Sequence, residues 1–411
     1  MKNILSLLVA SFSMLTVGAQ SVNKAQFNYK NGLEFNFNNG AYSFQIGGFV
    51  QPAYRFESYD SVSQVNANTN NPREQFLNAK RTFFQIGGKA QEEKVSFFIQ
   101  TNFSDKQPLL DAWIAYHPTK SMALTFGQKQ TFTNNREMIF REDRLQFTER
   151  GMTSNQFSAN GREFGLFMEG KFGSSFGIAP QIAVTSGDGR NSFGADSRDN
   201  DLGGLKYGAR LDVYPLGYFK EGNDLYSADL MHEETLKIVL GGAYSINYGA
   251  SNSVGEGHGD FLLYDLNGDI QLPNYKQIYV DLLAKYKGFS LLVEFGNGFA
   301  GGMNQSYTSL NATGMLIPQQ ISQYLNLGNV MNGQVGYVTQ SGYGFDFRYG
   351  QTWAEFEDFN GTQVTNQRAL TYGFSKYFEG NNIKLQASYT QLSNVIKGNT
   401  GIGELMLQFA F

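Results

Sequence analysis

The sequence predicts a closed, membrane-spanning antiparallel β-barrel of about sixteen strands, with long external loops and short periplasmic turns. Three observations predict it. Segment after segment alternates apolar and polar residues with a period of two. A short apolar leader opens the chain, and long connections alternate with short ones along it.

The last ten residues show the alternation most clearly. Leu405, Leu407, Phe409 and Phe411 fall on one side of an extended strand, and Glu404, Met406, Gln408 and Ala410 on the other. Equivalent segments are read at 42–58, 77–90, 95–104, 110–117, 121–130, 162–172, 176–185, 205–214, 235–246, 276–286, 289–297, 334–343, 345–354, 367–378, 383–392 and 402–411. Their outward sets are apolar ladders, such as Phe44, Ile46, Val50 and Tyr54, or Ile278, Val280, Leu282 and Tyr286. The inward sets are polar or small, as in Lys206, Gly208, Arg210 and Asp212, or Lys384, Gln386, Ser388 and Thr390. A wall between lipid and water requires this division, and closure satisfies every backbone donor and acceptor in hydrocarbon.

The leader, Met1–Ala19, reads as a signal peptide. Lys2 gives the positive start, Ile4–Val17 the apolar run, and Val17, Gly18 and Ala19 the small residues before a cut. The run is shorter than the roughly 20 apolar residues of a spanning helix. Residues 20–41 then form a short polar amino-terminal segment on the periplasmic side, too slight for a substantial plug, and 42–411 the barrel. Cleavage removes Lys2 from the 32 basic residues, leaving 31 against 36 acidic ones, a formal charge of −5. Nucleic acid is therefore not an expected partner. The absence of Cys excludes disulfides and thiolate metal sites. Charged residues are 17% of the chain, where about a quarter is usual in soluble proteins.

Among the connections, Ser61–Gln75, Thr131–Gly161 and Ala300–Gly333 are long, while Gln91–Lys94, Gly173–Ser175, Lys287–Gly288 and Glu379–Asn382 are short. Two break the rule: Asp105–Leu109 is short on the external side, and Pro215–Glu234 is long on the periplasmic side.

Residues Leu77–Arg150 carry a family resemblance. Asn78–Arg81 followed by Gly87–Lys89, then Phe103–Asp105, Leu110–Tyr116 and Leu124–Lys129, resemble the phosphate-selective porin O and P family in motif and order. Phe147–Gly151, Gly187–Gly189 and Leu370–Ser375 fit as well. The resemblance implies a sixteen-stranded, homotrimeric outer-membrane porin of a Gram-negative bacterium, Bacteroidetes-like in its aromatic and Asn-rich style, with a constricting loop after strand five. The departure is a mixed lumen where phosphate-preferring members carry dense arrays of Arg and Lys.

Parity places Arg55, Arg81, Lys129, Lys171, Lys206, Arg210, Lys237, Lys285, Arg348 and Lys384 inward, facing Asp111, Glu163, Glu169, Asp212, Asp281, Glu294, Asp346 and Glu404. Such near balance suits a water-filled channel crossed by a transverse field. Alternatively, many of these groups pair and stiffen the wall. The loop Thr131–Gly161 adds Arg136, Arg141, Arg144 and Arg150 beside Glu137, Glu142, Asp143 and Glu149, with Met138, Ile139 and Phe140 placed to dock it on the wall. Folded inward, it would set ion preference at the narrowest point. The expected pore-lining and constriction residues are Arg81, Lys129, Arg136, Arg141, Arg144, Glu149, Arg150, Arg210 and Arg348.

The external loops are acidic, through Asp188, Asp196, Asp199 and Asp201, and through Asp260, Asp265 and Asp269. Asp265–Asp269 lacks the glycine placement and distant Glu of a calcium loop, so an Asx turn is expected and no metal. His117, His232 and His258 stand in no relation to a nucleophile or ligand set, and Gly255–Gly259 has no following helix or Lys, so neither an enzyme nor a cofactor is expected. The function expected is passive diffusion of small hydrophilic solutes or ions, with mild anion or phosphate preference and outer-membrane lipids as surroundings. The alternative is a surface scaffold or adhesion barrel whose bore is occluded.

Overall fold

The computed structural model describes residues 25–28, 32–37, 41–60, 73–158, 161–187, 189–190, 204–254, 261–303, 305–357, 361–394 and 398–411. The leader Met1–Ala19, the acidic residues Asp188, Asp196, Asp199, Asp201 and Asp260, the run Gly255–Gly259 with His258, and most of the first long connection lie outside them.

Sixteen antiparallel strands form the barrel wall: β1 Tyr42–Tyr59, β2 Arg73–Ala90, β3 Val95–Asn102, β4 Leu109–Thr119, β5 Met122–Gln130, β6 Arg162–Gly170, β7 Gly177–Thr185 and β8 Lys206–Tyr214; then β9 Lys237–Asn247, β10 Asn274–Tyr286, β11 Phe289–Gly301, β12 Gly328–Val338, β13 Tyr343–Ala354, β14 Gln367–Glu379, β15 Ile383–Asn394 and β16 Gly398–Ala410. Each pairs with its sequence neighbour, and β16 returns to β1 through Glu404 opposite Arg55 and Phe409 opposite Val50. That last pairing removes the sheet edges. An amino-terminal hairpin, Ala25–Asn28 with Gly32–Phe37, adds its second arm to the start of β1.

The period of two is borne out in the terminal strand: Leu405, Leu407, Phe409 and Phe411 are exposed on the outside, while Glu404, Met406 and Gln408 are buried within. Aromatic rings pair across the outer face, for example Phe289 with Tyr337 at 4.3 Å and Phe347 with Tyr372 at 5.5 Å. Among the described residues no helix is long and apolar enough to cross a membrane; strands make the crossing. Lys287 and Gly288 both take positive φ, +47° and +91°, the twist-matched geometry of a two-residue hairpin.

Three expectations are corrected. The strand expected at 334–343 runs from Gly328 to Val338, because Thr339–Gly342 folds as a tight turn: Gly342 N donates to Thr339 O at 2.9 Å, with Gly342 at φ +79°. The long connection before it accordingly shrinks to 302–327. Lys171 leaves the lumen set: it sits just past β6 with its side chain 55% exposed, 4.3 Å from the Tyr218 ring, while Lys237, opposite the inward Lys285, donates to Leu216 O at the turn end.

The third correction concerns the interior, which is not polar all round. Tyr214, Val239, Leu283 and Leu292 point inward from β8 to β11 and are buried with Phe140, Leu145 and Phe219. Ala243, Tyr279 and Val330 form a second inward cluster with Phe157 and Val364. Chain thus packs against the inner wall from β8 to β12, and the cavities lie toward β13–β16 and β1–β3.

Candidate functional site

The chain that enters the bore is the connection from β5 to β6, hereafter the strap, which turns back into the lumen. Of its residues, Phe132, Met138, Phe140, Leu145, Phe147 and Phe157 are buried, and so are the polar Asn134, Asn135, Glu137, Gln146, Thr148 and Ser154. Three sets of contacts hold it.

The first is a four-charge cluster. The Arg136 guanidinium reaches Asp212 at 2.6 Å and Asp281, while Arg210 on β8 reaches the same two carboxylates, Asp212 at 2.9 Å. All four side chains are at most 5% exposed, and two positive charges meet two negative ones. Gly241 on the neighbouring strand makes room, since a Cβ there would run into Arg210, Asp281 and Arg136 at once.

The second set surrounds Glu137. Its carboxylate accepts from Gly151 N at 2.6 Å, Ser154 Oγ at 2.7 Å and Arg348 Nη1 at 3.2 Å. Its own backbone N–H donates to Glu294 on β11, which also accepts from Asn135 and Asn332. The third set reaches the far wall. Lys384 Nζ donates to Asp143 O at 2.7 Å, Gln386 Nε2 to Gln146 O at 2.8 Å, Gln146 Nε2 to Asp346 at 2.9 Å, and the Thr148 and Ser388 hydroxyls share a hydrogen bond. Wall glycines Gly336 and Gly373 lie where the strap crosses; a side chain there would meet Gln146 or the Phe147 ring.

The nine residues singled out by sequence therefore do different things. Arg136 and Arg210 are buried anchors. Arg150 donates to the carbonyls of Glu137 and Phe140 and pairs with Glu142 at 3.3 Å, tightening the strap on itself. Arg348 clasps Glu137 and the carbonyls of Glu149 and Arg150, its guanidinium 4.4 Å over the Phe147 ring. Lys129 pairs with Glu169 along the wall. Arg81 and Glu149 face each other at 3.2 Å, and Arg141 and Arg144 lie on the strap's other side.

Lys80 is one cation that parity missed; Arg162, paired with Asp111 and Glu142 at 3.1 Å each, is another. Between Gln51 and Pro52 the β1–β2 register slips: Gln51 pairs with Arg81 and Pro52 with Ala79, leaving Lys80 as the bulged residue. Proline cannot donate to the ladder, which suits a bulge there, and the bulge turns two successive side chains to one face. Lys80 Nζ thus lies 2.6 Å from Glu149 and also contacts Glu404, beside Arg81. Pro52 was the available signal.

Two cavities flank the strap. The one toward the loop end, about 390 Å³, is lined by Arg55, Glu149, Arg150, Arg348, Thr371 and Glu404, among others. The one toward the turn end, about 330 Å³, is lined by Gln45, Gln85, Phe98, Arg141, Arg144 and Asn381, among others. Thr148 and Ser388 also line the first, and Arg81 bonds Gln51 at 3.0 Å and Thr148 O at 3.4 Å.

The long turn-end connection 215–236 also enters the bore. Lys285 Nζ donates to the carbonyls of Tyr226 and Ala228, both at 2.8 Å, and to that of Asn223. Asp229 accepts from Gly288 N at 2.8 Å and Asn223 Nδ2 at 2.9 Å. This insert touches the strap through Ser227, whose N–H and hydroxyl both donate to Arg144 O.

Partial burial pushes the Glu149 carboxyl up, but the charges of Arg81 and Lys80 outweigh it and hold the group down to about 2, against an ordinary 4.5. A depressed carboxyl keeps its pairs above the ordinary value and loses them as pH falls through the depressed one. Single-channel conductance is accordingly expected to be steady from neutrality to pH 4.5 and to change only as pH approaches 2. A titration step near 4.5 instead would show Glu149 unpaired.

Closed ladder, apolar exterior and partly open, charged lumen define a transmembrane β-barrel with the fold of outer-membrane porins. No family model and no curated protein sequence matches the chain. Among solved structures, the outer membrane channel DcaP of Acinetobacter baumannii is similar over 92% of this chain and 99% of its own, at TM-score 0.53 and 13% identity. An anion-selective porin from Comamonas acidovorans is similar over 90% and 100%, at TM-score 0.53 and 9% identity. OprB of Pseudomonas putida is similar over 90% and 94%, at TM-score 0.52 and 9% identity. At such identities the likeness establishes the fold. The resemblance to the phosphate-selective family rests on the motifs quoted above.

Proposed function

We propose that this chain is an outer-membrane porin for passive diffusion of small hydrophilic solutes and ions, with a mild anion preference set at the strap. The observation that carries this reading is the pair of cavities flanking the strap, the loop-end one lined by Glu149 and Glu404, with which Lys80 and Arg81 pair. Solutes pass that point by size and charge, and no covalent chemistry is involved. Guanidinium and ammonium donors there favour carboxylate and phosphate groups, while the paired glutamates keep the preference small. The strap's anchors hold the aperture at fixed width, and the apolar exterior sits in outer-membrane lipid. A homotrimer is the proposed assembly; the motif resemblance supports it, and OmpT of Vibrio cholerae, similar over 90% of this chain at TM-score 0.52 and 9% identity, is described in a trimer form.

A second reading, a surface scaffold with a closed bore, draws on the strap's reach to the far wall at Thr148 and Ser388. Swelling of liposomes carrying the purified protein, in sugars of graded size, separates the two. Uptake of the smallest sugars with a sharp size limit is the porin result; no uptake of any sugar is the scaffold result.

A further inference from the structure

We infer that the loop-end cavity is a binding site for a zwitterionic amino acid with an apolar side chain, such as leucine, a proposal that rests on the porin reading and names a solute class for it. Its volume of about 390 Å³ falls in the range of about 300–1,000 Å³ usual for small-molecule sites. Its lining departs from the polar lumen at one patch. The inward row of β15, Lys384 to Thr390, runs on into Leu392, which stands opposite Ala369 of β14. Two residues back along β15, Thr390 stands opposite Ile402 of β16. The strap completes the patch with Met152, whose Sδ would lie 3.0 Å from a Cβ at Gly350. Inward apolar residues from β8 to β12 lie buried against Phe140, Leu145, Phe157 and Phe219. Leu392, Ile402 and Met152 are instead half-buried and front the cavity, where a solute can cover them.

The charged groups of the same lining are unequally open. Arg150, Arg348 and Glu404 have side chains at most 8% exposed, each engaged with a partner of opposite sign. Arg55 and Glu149 keep an open face, with side chains 30% and 39% exposed, one group of each sign. Arg55 is close enough for its charge to act on Glu149. An α-carboxylate suits the Arg55 guanidinium, and an α-ammonium suits the Glu149 carboxylate. The side chain of such a solute then lies on Leu392, Ile402 and Met152. A solute of one charge leaves the accessible group of its own sign unmatched, and a polyol leaves the apolar patch uncovered.

The test uses the full chain in detergent and ligand-observed saturation-transfer NMR, with single-channel currents recorded from the same preparation. L-Leucine is expected to give a saturable signal. Its affinity is expected to exceed by about tenfold or more those of glycine, 4-methylpentanoate and 3-methylbutylamine, which lack in turn the apolar side chain, the ammonium and the carboxylate. Leu392→Ser and Arg55→Gln are each expected to weaken leucine binding by about tenfold. The two substitutions lie on β15 and β1, and the solute series needs neither, so a folding defect leaves the proposal open to test. No saturable leucine signal from protein that conducts ions overturns the site. Leucine binding no tighter than that of its one-charge analogues overturns it too, as does unchanged affinity in both variants. Saturable leucine binding by protein that does not conduct leaves the site standing and sinks the porin reading.

Discussion

Replacing Asp281 by Ala is expected to free the strap and raise single-channel conductance several-fold, with noisy, unequal current steps. Asp281 is fully buried and accepts from both Arg136 and Arg210. Removing it leaves two guanidinium groups sharing Asp212 alone, one uncompensated positive charge inside the barrel. Breaking a buried pair in this way costs about 3–5 kcal/mol, far more than an exposed pair is worth. The wall keeps its own ladder, since Asp281 contributes its backbone to β10 whatever its side chain. The cost therefore falls on the strap. Limited trypsin digestion checks this directly: Arg136, Arg141 and Arg144 become cleavage sites only when the strap leaves the lumen. A variant whose current and digestion match the parent would show the cluster to be incidental.

The second large effect is expected on selectivity. Changing Lys80 and Arg81 together to Glu puts four carboxylates, with Glu149 and Glu404, where two ammonium-type charges now balance two. Rings of like charge at a narrow point dominate ion preference. The reversal potential under a salt gradient is expected to shift decisively to the cation side, away from the slight anion preference proposed for the parent. Lys80→Glu alone is informative, because an unbulged β2 would point this residue at lipid. An outward Lys80 would leave selectivity untouched by the single change; the bulge predicts about half of the double variant's shift.

How much of this was legible in the chain follows from what is local and what is not. The wall was readable because hydrocarbon imposes a two-residue period on every strand independently, so Leu405, Leu407 and Phe409 declare their face without reference to any partner. The strap was readable as a charged loop with an apolar centre. Its anchors were not, because Arg136 finds Asp212 and Asp281 only after the chain has crossed half the barrel. Lys80 was hidden by a one-residue register slip, which reverses parity. The packed side of the bore did leave a trace. Ile238–Leu240, Leu282–Leu283 and Leu291–Val293 are apolar on both faces, which a strand between lipid and water does not need and a strand covered by Phe140 and Leu145 does. The insert 215–236 gave only its unusual length, and Lys285, read as a lumen cation, turned out to be its tether.

The most direct measurement compares the single-channel conductance of the parent with that of a variant in which 134–157 is replaced by a short Gly-Ser link. A strap that forms the aperture predicts small, uniform steps in the parent and steps several-fold larger without it. Equal steps in both proteins would place the narrowest point elsewhere and contradict the account.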